Sequence, residues 1–192
     1  MALDINKMYE RAQAAFKEIE YWPQDKVDEM VNAAGWAWSK EENAMAMARL
    51  AVDESSIGVY EDKVAKIQSK TRGSLWQMRD VKTCGLVEED KEKGLKKYAK
   101  PIGVIANIVP CTNPESTVTA LGVNILKTRN AMIVSPHPRT KGSTNLAVKI
   151  GRDALKKIGA PPDLLQCLAE PSHESTVELM ELCDFSVATG GA

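Results

Sequence analysis

One boundary constrains the fold of this chain more than any other feature: near Pro101 the hydrophobic period changes. Before it, apolar residues recur every three or four positions, the pattern of helices with one buried face. After it, short β-branched runs alternate with helical stretches, the pattern of a sheet covered by helices.

The first segment reads as helix from residue 4 to about residue 80. Ile5, Met8, Tyr9, Ala12, Ala15, Phe16 and Ile19 form one stripe. Pro23 suits a first helical turn, and Val27, Met30, Val31, Ala34 and Trp38 continue on a second helix. Ala44–Val52 and Glu61–Met78 supply a third and a fourth. These stripes, with their methionines and the pair Trp36/Trp38, read as packing faces. Cys84–Val87 and Gly94–Ala99 then flank the charged run Glu88-Glu89-Asp90-Lys91-Glu92-Lys93, which predicts a projecting β-hairpin with a solvated tip.

Beyond Pro101 the predicted strands are Ile102–Val109, Ala131–Val134, Leu164–Leu168 and Phe185–Thr189. Between them lie helices Glu115–Lys127, Lys141–Ile158 and His173–Leu182. Asn113 is a fitting N-cap with Pro114 in the first turn; Ser143/Thr144 read as the start of the next helix, and Gly159-Ala160-Pro161-Pro162 as its end. This order predicts a doubly wound parallel sheet. Three parts follow: a helical region 1–80, a hairpin arm 81–100, and an α/β domain 101–192.

Ligands of such sheets sit beyond the carboxyl ends of the strands, here the loops Pro110–Pro114, Ser135–Thr140, Ala169–Ser172 and Gly190-Gly191. Thr112 and Asn113 stand at a helix N-terminus, where backbone N–H groups favour negative charge. Gly190-Gly191 lets backbone approach a ligand closely. No G-x-G-x-x-G follows the first strand, so the residues alone point only to a nucleotide-binding α/β domain.

Composition excludes other classes. Lys+Arg 25 against Asp+Glu 26 gives a formal net charge of −1, without the surplus that marks nucleic-acid or membrane-surface binders. The longest apolar stretches are too short to span a bilayer, and Met1-Ala2-Leu3-Asp4 lacks the start of a signal peptide. The four cysteines, Cys84, Cys111, Cys167 and Cys183, show no C-x-x-C spacing. Reduced thiols in a cytoplasmic protein, with neither disulfide nor metal, are the expectation.

Several segments together carry a resemblance. Val109-Pro110-Cys111-Thr112-Asn113-Pro114, Lys127-Thr128-Arg129-Asn130, Ser135-Pro136-His137-Pro138-Arg139 and Ala188-Thr189-Gly190-Gly191 resemble the CoA-acylating aldehyde dehydrogenases. So do Gly58-Val59-Tyr60-Glu61-Asp62-Lys63 and Lys82-Thr83-Cys84-Gly85. The resemblance is nearest to the aldehyde dehydrogenase half of bifunctional aldehyde–alcohol dehydrogenases, and it covers the N-terminal part of such a module. It implies an incomplete Rossmann-like domain of the aldehyde dehydrogenase fold. It also implies oxidation of a small aldehyde with NAD and acyl transfer to coenzyme A, in a full-length enzyme that is a homo-oligomer.

Carried over residue by residue, the resemblance makes Asn113 the oxyanion-hole amide. Val109, Pro110, Cys111 and Thr112 become the loop beside the nicotinamide. Ser135, Pro136 and His137 border the adenosine ribose, and Thr189, Gly190 and Gly191 lie near the cofactor phosphates. Asn113 could instead be only a cap, and His137 only a turn residue. The family's nucleophilic cysteine lies downstream, and none of the four cysteines takes its place; Cys111 matches a position usually held by a small hydroxyl residue. Cys167 and Cys183 read as buried packing residues and His173 as a surface helix start. An alternative is a non-catalytic homologue that keeps only cofactor binding or oligomer contacts, and a third an unrelated nucleotide-binding α/β protein.

Overall fold

A computed structural model describes residues 4–190. Four helices come first: α1 (Ile5–Ile19), α2 (Gln24–Ser39), α3 (Glu41–Ser55) and α4 (Tyr60–Met78). A hairpin of β1 (Gly85–Asp90) and β2 (Leu95–Ala99) follows. The remainder is β3 (Val104–Ile108), α5 (Pro114–Lys127), β4 (Ala131–Ser135), α6 (Lys141–Lys157), β5 (Leu165–Cys167), α7 (His173–Leu182) and β6 (Phe185–Ala188).

The four strands β3 to β6 form one parallel sheet in the order β5-β4-β3-β6. Helices α1 and α7 cover one face, while α5 and α6 cover the other beneath an outer layer of α2, α3 and α4. The sheet interior is nearly continuous apolar sequence: β4 is buried throughout and β3 at all but its last residue. A strand covered on both faces needs no polar alternation.

The hinge between the outer helices and the sheet is Trp38. Its side chain is fully buried and its indole N–H donates to the Ala147 carbonyl at 2.8 Å. A Cβ added at Gly122 of α5 or Gly151 of α6 would come within 2.6 Å of its ring. Those two glycines leave the notch that the ring fills.

The matched segments around residues 82–85 and 127–130 are structural joints. Thr83 Oγ1 donates to the Lys127 carbonyl at 2.6 Å, and Lys127 Nζ to Asp28 Oδ1 at 2.5 Å. Arg129, with a left-handed φ of 59°, donates to the carbonyls of Glu20, Thr83 and Ala99. One guanidinium therefore ties the end of α1 to both ends of the hairpin. Its fork of donors suits three diverging carbonyls.

The structure revises several local readings. The run Glu88–Asp90 lies inside β1, and Glu88 and Glu89 pair across the ribbon with Lys97 and Lys96. The tip is residues 91–94, because a ribbon wet on both faces accommodates alternating charge. Trp36 is 64% exposed, on the side of α2 that turns away from Trp38. The first strand starts at Val104, with Ile102 exposed. Pro23 precedes α2, and Ser143 and Thr144 lie within the first turn of α6.

Candidate functional site at the carboxyl ends of the strands

Because β3 lies between β4 and β6, their three outgoing loops emerge side by side. The Val109 N–H donates to the Ser135 carbonyl at 3.1 Å, and the Thr189 N–H to the Ile108 carbonyl at 3.1 Å. The fourth loop, Ala169–Ser172, leaves β5 next to β4, and the Leu168 N–H donates to the Val134 carbonyl at 2.9 Å. Strand order reverses between β3 and β6, and that crevice is where open α/β sheets take their ligands. Pro110 and Gly190 flank it: a Cβ built on Gly190 would lie 3.6 Å from the Pro110 Cβ, and its φ of +122° is one that other residues rarely adopt. Gly190 thus carries no side chain at its edge of the crevice, opposite the Pro110 ring.

The other loop residues are held from behind. The Ser135 hydroxyl, buried, shares a hydrogen bond of 2.7 Å with the Thr176 hydroxyl of α7. Pro136 is buried, and half-buried His137 accepts the Arg139 N–H on Nδ1 at 3.1 Å. Arg139 reaches back to the Ser55 carbonyl at 2.6 Å. His173 opens α7 at the exposed surface. Gly191 lies outside the described residues.

The N-terminus of α6, beside β4, is already neutralised. Glu54 of α3 accepts the N–H groups of Gly142 and Ser143, both at 2.8 Å. A carboxylate satisfies there the donors that a cofactor phosphate would otherwise meet. Glu54→Ala is expected to lower stability by about 1–2 kcal/mol, read as a drop of roughly 2–8 °C in a thermal melt. An unchanged melting temperature would contradict this capping role.

Asn113 occupies the N-cap position of α5, but its side chain makes no capping bond. Its Oδ1 accepts from Lys66 Nζ at 2.9 Å, and its Nδ2 makes only a long contact of 3.3 Å to Thr112 Oγ1. The amide is thus turned so that an N–H remains free for a ligand. Lys63 supports the same loop from inside: its Nζ donates to the Thr112 carbonyl at 2.8 Å and stands 3.7 Å from Glu115 Oε1. Both side chains are buried, and neither Glu115 oxygen has a hydrogen-bond partner. Burial raises the Glu115 pKa above the usual carboxylate value, outweighing the pull of Lys63 and Lys66. The sequence reading missed Lys66, Glu54 and Glu115, since nothing local marks a lysine that reaches a loop 47 residues away. Lys63 did fall within a matched segment, without a role attached.

Burial pushes Cys183 up to about 12 and Cys167 higher still. Both are half-buried, less enclosed than their apolar setting suggested, and Cys84 is buried beside Thr83. Cys111 is half-buried in the Asn113 loop, and among the described residues no hydrogen bond engages its sulfur. The described residues contain no group of three or more His, Cys, Asp or Glu side chains placed to hold a metal.

A sequence model of the aldehyde dehydrogenase family matches residues 1–189. A sulfoacetaldehyde dehydrogenase of Acholeplasma sp is 45% identical over 181 residues, covering 94% of this chain and 37% of that protein. The bifunctional aldehyde-alcohol dehydrogenase AdhE of Escherichia coli (strain K12) is 40% identical over 190 residues, covering 98% of this chain and 21% of that protein. An acetylating aldehyde dehydrogenase from Geobacillus thermoglucosidasius superposes with a TM-score of 0.94 at 36% identity, covering 97% of this chain and 41% of that structure. The chain thus spans less than half the length of the proteins it matches.

Proposed function

The chain belongs to the aldehyde dehydrogenase family, and from that premise we propose that it is the cofactor-binding part of a CoA-acylating aldehyde dehydrogenase. The reaction is the reversible conversion of aldehyde, coenzyme A and oxidised nicotinamide cofactor to acyl-CoA, reduced cofactor and a proton. The observation that carries this reading is the juxtaposition of the β3/β6 crevice with the free amide of Asn113 on the loop that leaves β3. When bound, the nicotinamide supplies the hydride acceptor.

In this reading Val109, Pro110, Cys111 and Thr112 line the nicotinamide side of the crevice. Thr189 and Gly190 lie along the phosphates, and Ser135, Pro136 and His137 border the adenosine ribose. The Asn113 N–H donates to the oxygen of the aldehyde as it gains negative charge, the kind of preorganised contact worth about 10²–10³ in rate. The attacking thiolate, which forms a thiohemiacetal, is none of the four cysteines of this chain. Cys167 and Cys183 are held protonated by burial. Residues 1–80 then act as cover, 81–100 as an arm and 101–192 as the cofactor layer. The hairpin exposes unpaired edges of the kind that pair with another chain, which supports a homo-oligomer. No described helix is long and apolar enough to cross a membrane, and we place the protein in the cytoplasm on its four free thiols.

Titration with NADH tests the reading. At a hundredfold excess over its dissociation constant, NADH is expected to stabilise the chain by about 2.7 kcal/mol. A melting temperature indifferent to NADH and NADPH alike would sink the proposal. With NAD, coenzyme A and aldehyde added, NADH production that vanishes in Cys111→Ser would overturn the exclusion of Cys111.

A further inference from the structure

Asn113 does not stand alone at its end of the crevice. A cleft of about 250 Å³ opens between α4 and α5, lined by Lys66, Lys70, Asn113, Ser116, Thr117 and Ala120. At about 30 Å³ per water in the liquid, it has room for a small polar molecule. Lys66 and Lys70 lie one turn apart on α4 and so share a face. Among the described residues, no carboxylate comes within 4 Å of either ammonium. The nearest buried acid, Glu115, faces Lys63 from beneath.

We propose that Lys66 and Lys70 bind the anionic end, a sulfonate or carboxylate, of a short aldehyde whose carbonyl oxygen sits at the Asn113 amide. This substrate class rests on the acylating aldehyde dehydrogenase reading. An ammonium carries three donors; Lys66 spends one on Asn113 Oδ1 and keeps two for an anion. The same contact sets the face of the Asn113 amide, so anion recognition and carbonyl orientation share one side chain. Ser116 and Thr117 add short hydroxyls to a wall that is otherwise mostly apolar, with Ala120 and the carbon stems of the two lysines on it, as suits the short carbon chain between the two polar ends. A neutral aldehyde would leave the remaining donors of both ammoniums to water, whereas an anion gains charge-assisted hydrogen bonds from both.

The test uses isethionate, a non-reactive alcohol with the sulfonate in place, against ethylene glycol, its neutral counterpart, and inorganic sulfate. Each is titrated into the ¹⁵N-labelled chain while the Asn113 side-chain amide is followed by NMR. Isethionate is expected to shift that amide saturably and to bind at least about tenfold more tightly than either control. Lys66→Gln and Lys70→Gln are expected each to weaken it by about tenfold, and Lys70→Arg to retain it. Both lysines are exposed, so fold is preserved, which the unchanged remainder of the spectrum verifies. Equal binding of isethionate and sulfate would reduce the cleft to a general anion site, and equal binding of isethionate and glycol would remove the anion preference. Either result overturns the inference. NADH binding by the unaltered chain is scored separately, so a chain that binds NADH but fails here loses only this substrate class.

Discussion

Trp38→Ala is expected to cost about 3–5 kcal/mol of folding stability. The ring lies at zero exposure where α2, α5 and α6 meet, in a notch left open by Gly122 and Gly151. Truncation removes its buried area, leaves a cavity that helices on three sides cannot close by small shifts, and strips the Ala147 carbonyl of its indole donor. A denaturant melt of the variant measures the loss. Filling the notch from the other side is a second route to the same result, since a Cβ on Gly151 would stand 2.6 Å from the Trp38 ring and 2.7 Å from Leu165 Cδ1. A Trp38→Ala protein within about 1 kcal/mol of the parent, well below the range for such truncations, would show that the outer helices are held on the sheet by something else.

Lys63→Met is expected to be comparably damaging, about 3–5 kcal/mol at neutral pH, because it takes from the buried Glu115 carboxylate the one cation within 4 Å among the described residues. The Thr112 carbonyl also loses its donor. The pH dependence identifies the cause. Burial already raises the Glu115 pKa in the folded protein, and Lys63 is among the charges that hold it down. Without Lys63 the folded-state value rises further above the unfolded value, so the folded variant binds more protons than the unfolded one between the two. Stability must then fall as pH rises through that window, which begins near the ordinary glutamate value of about 4.3. The deficit of Lys63→Met relative to the parent is expected to shrink as pH is lowered towards that value. A deficit independent of pH would mean that lost packing, not the stranded carboxylate, is responsible. Because the pair lies directly beneath Thr112 and Asn113, the variant should also broaden the Asn113 amide signal.

Much of the architecture was legible in advance because it depends on local pattern. The order of strands and helices after Pro101 follows from hydrophobic period, and α7 begins and ends where that pattern places it. Chain order also predicted a shared edge for the four loops, since successive parallel strands point their carboxyl ends the same way. Where the reading slipped, a short-range rule met a long-range partner. Asn113 has the residue type and position of a cap, yet its side chain is drawn to Lys66. Trp36 and Trp38 are two residues apart on one helix, and only the second meets the Gly122/Gly151 notch. The charged run at Glu88–Asp90 looks like a turn until lysines arrive opposite it on β2.

Local pattern sets the α/β class, the run of elements and the loops that end the strands, because helix and strand periods are written in neighbouring residues. The groups that surround Asn113 are set by tertiary packing. Lys63 and Lys66 approach it from a helix 47 to 49 residues earlier in the chain, and Glu54 closes the α6 terminus from 88 residues away. Charges brought together over such separations owe their meeting to the stacking of α3 and α4 on α5 and α6, and no local pattern records that stacking.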